Sequence, residues 1–269
     1  GICPVAYQMS ACHAIENALG ITPGGALRDL RRLLYCGEWI ESHVLHMVML
    51  HAPDFLGVPD VMTMSNDHPE RVHGALQVKK AGNAIVRALG GREIHPINVR
   101  VGGFYRAPGR SELESLLPDL RAARDEAETL LDWCAGFDFP SFEREVEHVA
   151  LQNPNEYPMN EGRIASTGGL DIDASDYERH FVEEQVPHST ALHSRIVGGG
   201  PYLCGPAARL ALNAERLSPR AQEAADRAKV RPGDANPFRS ILARGVEVVY
   251  AFDEAIRIVE SYERPAHPA

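Results

Sequence analysis

Between Ala26 and His51 apolar side chains recur at helical spacing. Leu27, Leu30, Leu33, Leu34, Ile40, Val44, Leu45 and Val48 form one stripe with a 3.6-residue period. A stripe of that length commits the chain to a helix that must bury one face against others, with Pro53 expected to end it. Candidates to cover it are also legible. Pro4 to Leu19 places Val5, Met9, Ala11, Ile15 and Ala18 at helical spacing, with Gly20 at the C-cap position. Glu70 to Leu89 closes at Gly90 and Gly91. Arg110 to Cys134 opens with Ser111 as N-cap and Glu114 three residues on as its capping-box partner. The last third predicts helices over Pro206–Leu212, Pro219–Lys229 and Pro237–Tyr262, the last capped by Asn236 with Pro237 at its first position.

Two stretches depart from this pattern. Glu93 to Phe104, with Ile94, Ile97, Val99 and Val101 before Gly102 and Gly103, reads as a short strand or hairpin arm. Phe137 to Tyr202 is loop-rich, with Pro140, Pro154, Pro158 and Pro187 between strand candidates at His148–Leu151, Arg163–Ser166 and Leu192–Val197. The expected fold class is mainly α with small β elements (α+β), as one folding unit over residues 1–269.

Composition narrows the function. No apolar run approaches the roughly 20 residues of a membrane-spanning helix, and Val44–Leu50 is interrupted by His46, so it reads as buried core. The formal net charge of −10 repels a phosphate backbone, and no basic stripe interleaved with aromatics offsets it; nucleic acid is not an expected partner. Cys3, Cys12, Cys36, Cys134 and Cys204 are odd in number and scattered, which fits reduced thiols in the cytoplasm better than a disulfide scaffold. The chain opens on Gly1 rather than Met, without a signal-like segment, and its true start is expected to lie upstream.

Several chemistries lack their motifs. No G-x-G-x-x-G opens a βαβ unit, and there is no Walker A, H-E-x-x-H or G-x-S-x-G sequence. Gly198-Gly199-Gly200-Pro201 reads as a turn. Cys3 stands just before a helix. A lone cysteine there is more often a small buried hydrophobe, yet a helix N-terminus stabilises a thiolate and so suits a soft metal. His43 and His46, at i and i+3 beside Glu38, Glu41 and Ser42, suit either a mononuclear metal site or hydrogen bonds within a packed helix. Arg92 and His95, between two glycine turns, make either surface contacts or contacts at a subunit interface.

Five blocks in order resemble the large, catalytic subunit of nickel–iron hydrogenases. Gly1–Tyr7 with Ala14–Ile21 is similar to the region of the family's N-terminal R-x-C-G-x-C motif, whose first cysteine would precede Gly1. Ser42–His46 with His51–Phe55 resembles the following helix, and Gly91–Gly103 resembles the G-R-x-x-H-P block. Tyr202–Leu210 and Asn236–Ser240 resemble two later blocks. The Pro4–Met9 variant is closest to the cytoplasmic NAD(P)-linked and methanogen branches.

The resemblance implies reversible H2 oxidation and proton reduction at a nickel–iron centre whose iron carries CO and CN ligands. Cys3 inherits the role of bridging metal ligand, while Ser42 and His46 line the canopy over the metals. His95, with Arg92 beside it, would face the small subunit near its proximal iron–sulfur cluster. The implied partners are that small subunit and diaphorase-type subunits carrying flavin and NAD(P). The family's C-terminal D-P-C-x-x-C-x-x-H motif and its A-P-R-G segment do not occur here, and Tyr7 stands where many relatives have histidine. The chain is therefore expected to be an internal fragment, inactive alone. The alternative is a nickel-free scaffold of the complex-I large-subunit type, against which the Gly1-Ile2-Cys3 run argues.

Overall fold

The structure, a computed structural model, describes residues 3–269. Gly1 and Ile2 of the opening motif lie outside the described residues. The predicted fold class is the observed one: long helices around a common core, with short strands at one side.

Helix α1 (Pro4–Leu19) ends at Gly20, whose φ of 67° is the left-handed conformation that glycine adopts without strain. Helix α2 (Gly25–Val44) carries the apolar stripe, and Leu30, Leu33, Leu34 and Ile40 are fully buried. The rod does not stop at Pro53. It passes into a π-helix (Leu45–His51) and then α3 (Ala52–Leu56), where Pro53 occupies the first turn and needs no helical N–H. Helix α4 (Val61–Asp67), not anticipated from the sequence, is capped by the Asp60 carboxylate on the Thr63 amide at 2.8 Å. Helix α5 (Pro69–Gly90) runs as predicted and ends at Gly91.

The expected strand over 93–104 shrinks to a two-residue hairpin, β1 (Val99–Arg100) and β2 (Gly103–Phe104). The next helix is broken into α6 (Arg110–Glu114) and α7 (Leu117–Ala135). The box predicted at Ser111 and Glu114 is replaced by one two residues earlier: Gly109 is the N-cap, and Glu112 accepts its amide. A four-stranded sheet follows, in the order β5 (Asp171–Ile172), β4 (Arg163–Ser166), β3 (Glu147–Gln152), β8 (Tyr202–Leu203). Strand β3 is antiparallel to β4 and parallel to β8, with His148 opposite Leu203. Short α8 (Tyr177–His180) leads into the hairpin of β6 (Phe181–Glu184) and β7 (His193–Ile196). Helices α9 (Pro206–Asn213), α10 (Pro219–Arg227) and α11 (Ser240–Ser261) complete the chain. Asn236 caps the 3-10 turn before α11, its side chain accepting the Phe238 amide at 3.0 Å, as read from the sequence.

Helix α2 packs between α5 and α11, and α7 closes the far side against both. The α2–α5 crossing rests on two helical glycines. A Cβ on Gly82 would lie 2.8 Å from the Gly37 carbonyl oxygen and 2.9 Å from the Glu41 amide, so these backbones meet without side chains between them.

Three buried ion pairs pin elements far apart in sequence. Arg31 on α2 holds Glu16 on α1 through two bonds of 2.7 and 2.6 Å. Arg32 on α2 pairs with Glu254 on α11 and also donates to the Tyr250 hydroxyl at 2.7 Å. Arg209 on α9 grips Glu247 on α11. Such pairs add little net stability over apolar packing, but leaving one partner unmatched is costly, so they select one arrangement of the helices.

Candidate functional site

The first turn of a helix presents amides without intrahelical partners. In α1 two of these are satisfied by a side chain from the neighbouring helix. Glu38 on α2 accepts the Val5 amide at 2.9 Å and the Ala6 amide at 3.0 Å, one on each carboxylate oxygen. Burial pushes the Glu38 carboxyl up to about 6, against the pull of those two donors. The clamp fixes the start of α1, and Cys3 is the N-cap residue immediately before it, with its thiol exposed.

A second contact holds α1 from another direction. Gln8 donates through Nε2 to the Pro96 carbonyl at 2.7 Å, which ties the helix to the Arg92–Pro96 turn. In that turn Arg92 donates to the His95 carbonyl at 2.6 Å, and His95 has a φ of 52°. This bond organises a left-handed turn while both side chains remain exposed. Cys3 and the Arg92–His95 turn, ninety residues apart in sequence, are thus linked through one helix.

Ser42 lies one turn beyond Glu38 on α2, on the helix face that bears the clamp. His46 follows in the π-helix, where residues five apart become neighbours: its ring lies 5.1 Å from that of His51. Both rings have a buried Nδ1 without a hydrogen-bond partner. Burial, then the nearby Arg244 guanidinium, lowers the His46 pKa to about 4, so the ring is neutral at pH 7. A π-turn within an α-helix is frequent at functional sites.

His43 is engaged by helix α11. Its Nε2 lies 2.8 Å from Glu247, a fully buried carboxylate that also accepts the Tyr157 hydroxyl at 2.7 Å and both arms of Arg209 at 2.7 Å. Burial pushes the Glu247 carboxyl up, but the Arg209 guanidinium and His43 outweigh it and hold it at about 2. Trp39 stacks on His43 and lies 4.3 Å beneath the Arg209 guanidinium, completing a closed polar cluster.

Glu38, Gln8 and the Glu247 cluster were not singled out as site residues from the sequence. A signal existed: Glu38 in Tyr35–Ile40 and Glu247 in Gly245–Phe252 are each the one charge in a short run otherwise uncharged, and a buried charge needs a partner.

Residues 1–74 match the family described as nickel-dependent hydrogenase. The chain is 32% identical over 260 residues to the sulfhydrogenase 1 subunit alpha of Pyrococcus furiosus, covering 96% of this chain and 60% of that subunit. It is 31% identical over 261 residues to the sulfhydrogenase 2 subunit alpha of the same organism, again covering 60% of it. The chain is thus similar, over nearly its whole length, to the alpha subunits of hydrogenases, and its first 74 residues match the nickel-dependent hydrogenase family. It spans about 60% of the length of these two relatives.

The fold agrees. The structure of an NAD+-reducing [NiFe]-hydrogenase in the H2-reduced state superposes with a TM-score of 0.83 at 22% identity, over 97% of this chain and 64% of that one. The nickel–iron–selenium hydrogenase of Desulfovibrio vulgaris Hildenborough gives 0.76 at 18%, over 100% and 69%. No helix among the described residues is long and apolar enough to cross a membrane.

A soft metal such as nickel held by thiolates needs several of them, deprotonated and facing one point. Cys36 and Cys134 are buried, and burial pushes both thiols well up. Among the described residues no three His, Cys, Asp or Glu side chains converge as a metal-holding group. Cys3 and Cys204 are exposed and Cys12 is half-buried, but they do not join into a four-thiolate donor set among the described residues, which by themselves do not fit a nickel–iron group.

Proposed function

We propose that this chain is the part of a nickel–iron hydrogenase catalytic subunit that frames one side of the metal centre. In that role the holoenzyme would oxidise H2 or reduce protons, and Cys3 would hold nickel as one thiolate of a donor set completed by sulfur ligands other than those described. The carrying observation is the 32% identity to a sulfhydrogenase alpha subunit over 96% of the chain, with Cys3 at the start of a helix clamped from two sides.

The chain's own residues act by positioning. Glu38 and Gln8 fix the helix that begins beside Cys3. Ser42 and the neutral His46 line the approach, where a hydroxyl and an uncharged imidazole can pass or hold a proton without adding charge. The metals, when bound, supply Lewis acidity and the site for H2 cleavage.

His95 and Arg92 face the iron–sulfur small subunit in this reading. Tyr7, Ile94 and Ile97 are 71%, 66% and 63% exposed on the elements joined by the Gln8–Pro96 bond, an apolar patch of the kind that seats a partner. Diaphorase-type subunits with flavin and NAD(P), a carbon monoxide- and cyanide-ligated iron, and a cytoplasmic setting belong to the same proposal. The NAD+-reducing hydrogenase among the structural neighbours supports the choice of carrier.

The 269-residue chain alone is expected to bind nickel far below one equivalent and to reduce no viologen dye under H2. Metal analysis and an anaerobic dye assay on the purified chain test this, and stoichiometric nickel with H2-dependent reduction would overturn it. In the active holoenzyme Cys3→Ser should abolish dye reduction and lower the nickel content. An active, nickel-replete Cys3→Ser enzyme would remove the catalytic reading.

A further inference from the structure

A cavity of about 390 Å³ opens where β3, β8, the start of α9 and the start of α11 meet. Its volume is in the range of small-molecule sites. Phe142, Val146, Pro201, Leu203 and Pro237 supply apolar wall, and Phe142 meets Phe238 edge-on at 6.3 Å, with both rings partly exposed.

Its polar lining is biased to one sign. Arg144 and Arg244 both border the cavity, and neither is ion-paired to a carboxylate among the described residues. Arg244 is held only by the Ser240 carbonyl and hydroxyl, each at 3.2 Å. The one acidic residue in the lining, Asp234, is already bound to Arg239 at 2.7 Å. In a chain of net charge −10, unmatched guanidiniums in a concave site are out of keeping with the average surface.

Two further features point the same way. The first turn of α9 borders the cavity, and its N-cap is Gly205, which has no side chain to satisfy the orphan amides. His148, only 4% exposed, also lines the cavity, and its Nε2 has no hydrogen-bond partner. A buried ring nitrogen left unpaired costs free energy unless a ligand completes it.

We propose that this cavity binds a small organic oxyanion, a carboxylate or phosphate monoester on an apolar body. Arg244 and the α9 amides hold the charged head, the His148 Nε2–H donates to one of its oxygens, and the body lies against Phe142 and Pro237. Arg144, at the exposed rim, steers the anion in rather than fixing it. The proposal does not depend on hydrogen chemistry.

The test is titration calorimetry on the purified chain with benzoate, phenyl phosphate and inorganic phosphate as probes. Saturable 1:1 binding of benzoate or phenyl phosphate is expected, and the tighter of the two identifies the head group. Arg244→Gln should weaken it at least tenfold, His148→Gln several-fold, and Arg144→Gln two- to threefold with a reduced salt dependence. Circular dichroism of each variant reports folding, and shifts of the His148 ring signals on titration with the wild type give a readout independent of the variants. Absence of binding by both aromatic probes, binding by inorganic phosphate alone, or affinity unchanged in a folded Arg244→Gln chain would each overturn the proposal.

Discussion

The Glu38 carboxylate accepts the Val5 amide at 2.9 Å, so α2 holds α1 two residues after Cys3. The second oxygen takes the Ala6 amide, and the position of the thiol therefore depends on a side chain thirty-five residues away. Removing that carboxylate leaves two amides at a partly buried helix start without acceptors. Glu38→Ala is expected to cost about 2 to 3 kcal/mol in urea unfolding.

The same residue sets a pH dependence. Its carboxyl sits at about 6 in the folded chain, above its ordinary value of 4.5. As pH rises from 4.5 to 6 the unfolded chain loses its proton first, so stability falls through that window and then levels, by about 2 kcal/mol for this group. Glu38→Gln keeps an acceptor and removes the charge. Its stability should lack that fall, so the difference between variant and wild type, followed from pH 4.5 to 7.5, should widen in the variant's favour. Parallel profiles would show that the group does not titrate there.

Glu247 behaves oppositely. Held at about 2, it contributes stability that is full above its ordinary value of 4.5 and is lost as pH falls from there towards 2. Glu247→Ala strands Arg209, Tyr157 and His43 together, and a loss of about 3 to 5 kcal/mol is expected. Arg209→Ala should cost a similar amount, and the double variant clearly less than the sum, because the second change removes the charge that the first left unmatched. Denaturation of the four proteins closes that cycle; additivity would mean that the two side chains do not act as a unit.

The helices were legible because their faces are strongly patterned. The stripe of Leu30, Leu33, Leu34 and Ile40 and the Asn236 cap were read directly, and both stand in the structure. Pro53 misled because a proline ends one helix and begins another with the same chemistry, and here α3 follows without a gap. The π-turn at Leu45–His51 carries no distinct composition, so the neighbouring of His46 and His51 could not be read from a 3.6-residue period. Cys3, His46, Arg92 and His95 stood out in the sequence by their surroundings, but the roles expected of them and of Ser42 came only through resemblance to a family. What ties them, Glu38 and Gln8, is tertiary, since a carboxylate at one position in a helix gives no sign of which amides it will meet.

The α2–α5 crossing gives a prediction against helix propensity. Alanine in place of a mid-helix glycine stabilises an isolated helix by about 1 kcal/mol. At Gly82 the added carbon would press on the backbone of α2, at 2.8 Å from the Gly37 carbonyl oxygen, and backbone cannot rotate aside. Gly82→Ala is expected to lower stability by about 1 to 3 kcal/mol in urea unfolding, and Gly37→Ala to do likewise through Gly82 and Val86. A stabilised Gly82→Ala chain would mean that the two helices pack less closely than described.

His46 supplies the last test. With a folded pKa of about 4 against an ordinary 6.5, the unfolded chain binds this proton first as pH falls. The group therefore removes stability between pH 6.5 and 4, and leaves it untouched above. Its cause is burial beside Arg244 and His51, so Arg244→Gln should raise the His46 pKa by removing the nearer cation, while Glu247 stays on His43. Nitrogen-15 NMR of the imidazoles, recorded from pH 4 to 8, reads this directly. His46 is expected to remain neutral in the wild type well below the ordinary imidazole value of 6.5, and a His46 curve with its midpoint at that ordinary value would show that water reaches the π-turn freely.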